Sequence, residues 1–254
     1  MTQFNHVPTV LIFGATGGIG SALARQLGKL GYGMTLVAHG SERLDALAAE
    51  LRVQSCALDA ADPAAVEACF TQAMHEHGGI DGVVNCVGSL LLKPSHTTTD
   101  DQWRAVMAAN LDSSFYILRA AASRMMRNGG GSIVLLASAV ARHGMINHDA
   151  IAAAKAGIVG LAQSAAATYA RHNVRVNCVA PGLTRTPLTT SLTNNPGVLK
   201  ASAALHPLGR IGEPDEVASA IRWFLDPQQS WVTGQVLAVD GGLSSVQARV
   251  SSGS

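Results

Sequence analysis

Neither sign of charge dominates this chain: 18 lysines and arginines stand against 17 aspartates and glutamates, for a formal net charge of +1. That balance offers no basic stripe to follow a phosphate backbone and no acidic tail, so nucleic acid is not an expected partner. Cysteine is sparse. Cys56, Cys69, Cys86 and Cys178 are far apart, lack metal-ligand spacing and mostly sit in apolar runs such as Val83-Val84-Asn85-Cys86-Val87. This argues against a metal site and for buried free thiols in a reducing compartment. Long apolar runs are missing too, with no stretch reaching the roughly 18 to 20 residues that span a bilayer. Met1 to Pro8 carries no basic segment followed by an apolar one. A soluble cytoplasmic protein that makes no use of membranes is the expectation.

What is abundant is aliphatic: 48% of the 254 residues are apolar, enough for a sizeable core and for one large α/β domain over residues 1–254. Short β-branched runs recur at Val10 to Phe13, Met34 to Ala38, Gln54 to Leu58, Gly82 to Val87, Ser132 to Ala137, Arg175 to Ala180 and Gln235 to Val239. They are apolar on both faces, as strands of a parallel sheet covered by helices on each side must be. Helix-length segments alternate with them: Ile19 to Leu30, Glu42 to Leu51, Pro63 to Glu76, Asp101 to Arg127, Ala150 to His172 and Pro214 to Leu225. Asp62 before Pro63 is a candidate N-cap, and Asp100 opens the long fourth helix. The pattern predicts a doubly wound, seven-stranded parallel sheet with right-handed crossovers. The small polar stretch from Ser245 to Ser254 reads as a fraying tail.

The first expected strand runs into Gly14-Ala15-Thr16-Gly17-Gly18-Ile19-Gly20 and then into a helix. Glycines there let the backbone turn sharply and approach a pyrophosphate, whose charge the helix N-terminus stabilises. Gly14, Gly18 and Gly20 in this spacing resemble the signature of the short-chain dehydrogenase/reductase family. Asn85-Cys86-Val87-Gly88 resembles that family's motif after the fourth strand, and Asn110 sits where its helix-kinking asparagine is found. Pro181-Gly182 through Thr186 resembles the loop over the nicotinamide, and Gly209-Arg210-Ile211-Gly212-Glu213-Pro214 to Asp240-Gly241-Gly242 the C-terminal portion. The match covers residues 7–244.

The resemblance implies a Rossmann-type NAD(P)(H)-dependent oxidoreductase acting on a small carbonyl, alcohol or conjugated substrate. Its cofactor residues would be Gly14, Thr16, Gly18, Ile19, Gly20, His39, Asp59, Asn85, Gly88, Lys155, Pro181, Gly182 and Thr186. An acidic residue at the end of the second strand would select NAD by repelling a 2′-phosphate, and Ala38 stands there instead. With His39 next, and Ser41 and Arg43 close by, NADP(H) is favoured over NAD(H). In the related enzymes a tyrosine exchanges the proton, a lysine lowers its pKa from about 10, a serine holds the substrate oxygen and an asparagine anchors a water. Asn110, Ser138 and Lys155 match three of these. The tyrosine position, four residues before Lys155, is Ile151, and the only tyrosines are Tyr32, Tyr116 and Tyr169. Weakened proton delivery follows, with His148, His143 or water as possible substitutes. The alternative is a redox-inactive dinucleotide-binding protein acting as sensor or partner subunit. Residues 186–208 read as a substrate lid. The family resemblance further implies a homotetramer built on the fourth and fifth helices and the C-terminal strand.

Overall fold

The computed structural model of the protein describes residues 7–40 and 42–247. Ser41, expected beside His39, and the part of the expected tail from residue 248 onward lie outside the described residues. Strands β1 (Thr9–Phe13), β2 (Gly33–Ala38), β3 (Gln54–Ala57), β4 (Gly82–Asn85), β5 (Gly131–Leu136), β6 (Val174–Pro181) and β7 (Val236–Val239) make one sheet in the order β3-β2-β1-β4-β5-β6-β7. Every neighbouring pair is parallel. Helices α1 (Gly18–Lys29), α2 (Glu42–Leu51), α3 (Pro63–His77), α4 (Asp100–Met107), α5 (Ser113–Met125), α6 (Asp149–Tyr169), α7 (Thr190–Thr193), α8 (Pro196–Leu205) and α9 (Pro214–Leu225) complete the architecture.

Alternation along the strands builds two cores, because successive side chains point to opposite faces. Leu11, Phe13, Val83, Ile133, Leu135 and Val176 meet Val66 and Phe70 of α3, Ile117 of α5, and Ile158 and Ala162 of α6. On the other face Val10, Ile12, Leu36, Val84 and Val134 meet Leu23 and Leu27 of α1, Leu44 of α2, and Ile221 and Phe224 of α9. Phe70 and Phe13 stack with ring centroids 5.7 Å apart. The edge strand β3 is only partly covered, and its polar Gln54 is exposed. Cys56 packs against the cluster that holds Cys69 of α3.

Local chemistry explains where the elements depart from expectation. The fourth strand ends at Asn85 rather than Val87, because the Asn85 side-chain oxygen accepts from the Val87 N–H at 2.9 Å and turns the chain. Asp62 caps α3 as expected, accepting from Ala64 N, with Pro63 at the first helical position. The cap of α4, however, is Thr99, in a reciprocal capping box with Gln102, so Asp100 is merely the first helical residue. The expected helix from Asp101 to Arg127 is interrupted by a π-helical turn over Ala108–Asp112, inside which the Asn110 side chain donates to the Val106 carbonyl at 2.9 Å. Such turns bend a helix and re-aim its side chains.

One expectation about apolar runs is corrected. The segment 149–172, with mean hydropathy 1.3, is long and apolar enough by length and composition to cross a bilayer. Here it is a core helix: Ile151, Ala154, Ile158, Ala162, Ala165 and Ala166 are buried. The expected lid contains α7 and α8, the latter capped by Asn195, which accepts from Gly197 N and Val198 N.

Candidate dinucleotide cleft and active site

Strand order reverses between β1 and β4, and in such sheets a crevice opens outside the carboxyl ends of the strands at that point. A cleft of about 710 Å³ lies there. Gly14, Thr16, Gly18, Ile19 and Gly20 form its β1–α1 wall. Gly14 adopts φ +74°, and a Cβ there would lie 2.7 Å from the Cys86 carbonyl carbon. At Gly20 a Cβ would come within 2.3 Å of the Gly14 oxygen. Both positions therefore demand glycine. Gly17 caps α1 with no side-chain hydrogen bond, so the first-turn N–H groups face the cleft without an internal cap. These features fit a dinucleotide pyrophosphate.

At the β2–β3 side stand His39, Arg43 and Asp59. His39 Nε2 lies 4.0 Å from Asp59 Oδ1, and both side chains are largely exposed, so the pair contributes little to stability. Gly88, Asn110, Ser138, Ile151 and Lys155 gather at the β4–β5 side, and Pro181, Gly182 and Thr186 border the cleft from the loop after β6.

Fourteen of the expected site positions thus meet in one place; Asn85 does not line the cleft. It is buried, with its side-chain nitrogen donating to Ser114 Oγ at 3.0 Å, which ties the end of β4 to α5. Asn85 therefore shapes the wall rather than forming its surface. The cleft also uses residues that the motifs do not single out, among them Ser89, Leu90, Ala105 and Leu188. Of these Leu188 falls within the expected lid and Ser89 follows Gly88; the Ser89 Oγ accepts from the Asn110 side chain at 3.0 Å.

Lys155 is buried, and its Nζ donates to the Leu136 carbonyl at 2.8 Å. Burial lowers its pKa from the ordinary 10.5 to about 8, partly opposed by Cys86 and Cys178. Burial pushes both thiols up to about 12. Ser138 Oγ accepts from Val140 N at 3.4 Å, which leaves its single proton available for donation. Ile151 is 4% exposed and joins Val106, Ala150 and Ala154 in a small apolar cluster beside the cleft.

Neither His143 nor His148 lines the cleft. His148 sits at the N-cap of α6 with Nδ1 2.7 Å from the Ile146 carbonyl. His148→Ala is accordingly expected to leave turnover within about twofold of the parent, since only groups within reach of the reacting atoms act as acids; steady-state rates check this, and a drop of a hundredfold would contradict it.

A parallel doubly wound sheet with a glycine-walled cleft at its reversal point defines a dinucleotide-binding protein. Residues 14–244 match the family model described as Enoyl-(Acyl carrier protein) reductase. The chain is 36% identical over 245 residues to cis-4-hydroxycyclohexanecarboxylate dehydrogenase of Sinomonas cyclohexanicum, covering 93% of this chain and 96% of that one. A short-chain type dehydrogenase/reductase from Mycobacterium ulcerans superposes with TM-score 0.91 at 30% identity, over 95% of this chain and 91% of the other. A phenylalanine-to-tryptophan variant of actinorhodin polyketide ketoreductase with NADPH gives TM-score 0.90 at 29% identity, over 94% and 98%. The chain belongs to the short-chain dehydrogenase/reductase family, oxidoreductases that work with a nicotinamide dinucleotide.

Proposed function

We propose that this protein moves a hydride between NADP(H) and a small carbonyl or alcohol, or an activated or conjugated substrate, at a site whose usual phenol is replaced by Ile151. The observation that carries this reading is the convergence of Ser138 and Lys155 at the inner end of the glycine-walled cleft, with the Ile151 side chain beside them. A bound reduced dinucleotide would supply the hydride. Gly14 and Gly20 would keep the β1–α1 turn tight, so that the uncapped first-turn N–H groups of α1 meet its pyrophosphate, and Asp59 would face the adenine end. Ser138 would donate a hydrogen bond to the substrate oxygen and so fix the carbonyl for attack. Asn110, held by Val106 and Ser89, would keep the π turn and the inner wall in place.

Preference for NADP(H) is supported by Ala38 at the end of β2, where no carboxylate opposes a 2′-phosphate, and by His39 and Arg43 beside it. The description of the matching family model, an enoyl reductase, and the hydroxycyclohexanecarboxylate dehydrogenase relative support conjugated and cyclic carbonyl substrates. A homotetramer is supported by the exposed Trp103 and Phe115 on α4 and α5 and by exposed Trp231 and Leu237 at the β7 edge. Free cysteines at all four positions suit a cytoplasmic setting.

The test is a fluorescence titration with NADPH and NADH, followed by consumption assays on a cyclohexanone carboxylate, diacetyl and cyclohexenone. Tighter binding of NADPH with measurable turnover is expected. Absence of binding to either dinucleotide would overturn the reading. The competing reading, a dinucleotide-binding sensor or partner subunit, draws on the same Ile151 and predicts binding with no consumption on any of the three.

A further inference from the structure

Hydride addition to a carbonyl leaves charge on oxygen, and some group must supply the proton. The titratable side chains that line the cleft fall into two sets. His39, Arg43 and Asp59 belong to the β2–β3 side, away from Ser138, while Cys86 and Lys155 belong to the β4–β5 side with it. Lys155 Nζ is anchored on the Leu136 carbonyl, two residues before Ser138 on the same strand end, and a Cβ placed on Gly88 would lie 3.5 Å from it. Only one of the three ammonium donors is committed to Leu136 by that contact. Ile151, one helical turn back, presents hydrocarbon.

We propose that Lys155 is the general acid of this site, its Nζ–H delivering the proton to the substrate oxygen that Ser138 holds. This rests on the oxidoreductase reading above. As the hydride bonds to the carbonyl carbon, the π pair of C=O moves to oxygen, which takes a proton from Nζ. The N–H pair stays on nitrogen as a neutral amine, which regains its proton from water. The carbonyl is reduced and the nicotinamide oxidised.

The surroundings suit the role. The titratable groups facing Nζ are Cys86 after β4 and Cys178 on β6, both held protonated by burial, and its hydrogen-bond partner from β5 is the neutral Leu136 carbonyl. With no carboxylate among these neighbours to hold the proton, burial leaves an ammonium that is charged at neutral pH yet releases its proton at about 8. Reduction therefore slows as pH rises through about 8, where the acid form is lost, and the reverse oxidation, which needs the amine, speeds up over the same window.

Lys155→Arg decides the matter, because the guanidinium keeps the positive charge near a bound dinucleotide but does not give up a proton in a protein. The expected result is a fall in the reduction rate at saturating NADPH of about 10²- to 10⁴-fold, so that any weakening of dinucleotide binding, read separately on the fluorescence titration, is not mistaken for the loss of proton delivery. Independently of turnover, ¹⁵N NMR of the dinucleotide-free wild-type chain should show the Lys155 ammonium titrating near pH 8, with the signal absent in the variant. An Arg variant that reduces the same substrates at the parental rate, or a Lys155 signal unchanged past pH 10, would overturn the assignment while leaving the oxidoreductase reading intact. A wild-type chain that binds NADPH and reduces nothing would overturn both.

Discussion

Ile151→Tyr should accelerate carbonyl reduction by about tenfold, short of the about 10²- to 10⁴-fold by which a positioned proton donor speeds a step that has none, because Lys155 already delivers a proton there. The position is four residues before Lys155 on α6, so both side chains share a helical face, and both line the cleft. A phenol there would sit beside a buried ammonium, which favours the phenolate and brings its pKa down toward the working range. Tyrosine is larger than isoleucine, and the Val106–Ala154 cluster must yield to it, at a cost of about 1–3 kcal/mol if no space opens. The cleft offers that space on one side, so the variant is expected to fold with a modestly lower melting temperature. The check is a steady-state comparison on the three carbonyl and enone substrates. A well-folded, dinucleotide-binding variant with no gain in rate would mean that the pocket around Ser138 no longer presents a carbonyl to the phenol.

Gly20→Ala should reduce dinucleotide affinity by at least about tenfold and lower stability by about 1–3 kcal/mol, the cost of forcing a methyl into a packed site. The added Cβ would fall 2.3 Å from the Gly14 oxygen and 3.0 Å from the Ala15 Cα, both rigid backbone atoms. Relief requires the β1–α1 turn to open, which moves the first-turn N–H groups that would meet the pyrophosphate. Fluorescence titration and urea denaturation measure the two effects separately. Normal NADPH binding by this variant would contradict the placement of the pyrophosphate against α1.

Much of this architecture is legible in the residues themselves. Strands such as Val10 to Phe13 are buried on both faces and read as uninterrupted aliphatic runs, and the glycines between β1 and α1 announce a backbone approached closely by something else. That Asn110, Ser138 and Lys155 share one site is what the family resemblance implies, and the structure gathers the π turn, the residues after β5 and α6 along one cleft. What spacing does not reveal is which way a polar side chain settles. Asn85 looks like a surface contact in its motif, yet it turns inward because Ser114, from a helix that lies far along the chain, offers it a partner. His148 shares a face with Lys155 by counting, but it stands at the helix cap, where the Ile146 carbonyl engages its ring. The π turn at Ala108–Asp112 leaves no mark in the hydrophobic period, and α7, at Thr190–Thr193, is too short to impose one. The hydropathy of α6 is ambiguous between a core helix and a membrane span, and only its packing against β5 and β6 resolves it.

The central claim, that this cleft transfers a hydride although hydrocarbon occupies the place of the phenol, is tested most directly by isotope. The protein is mixed with NADPH deuterated at the transferring carbon and with a cyclohexanone carboxylate, and the product is read by mass spectrometry. The prediction is an alcohol carrying one deuteron on the former carbonyl carbon; bound NADPH with no labelled product, on this ketone and on diacetyl and cyclohexenone, would contradict it.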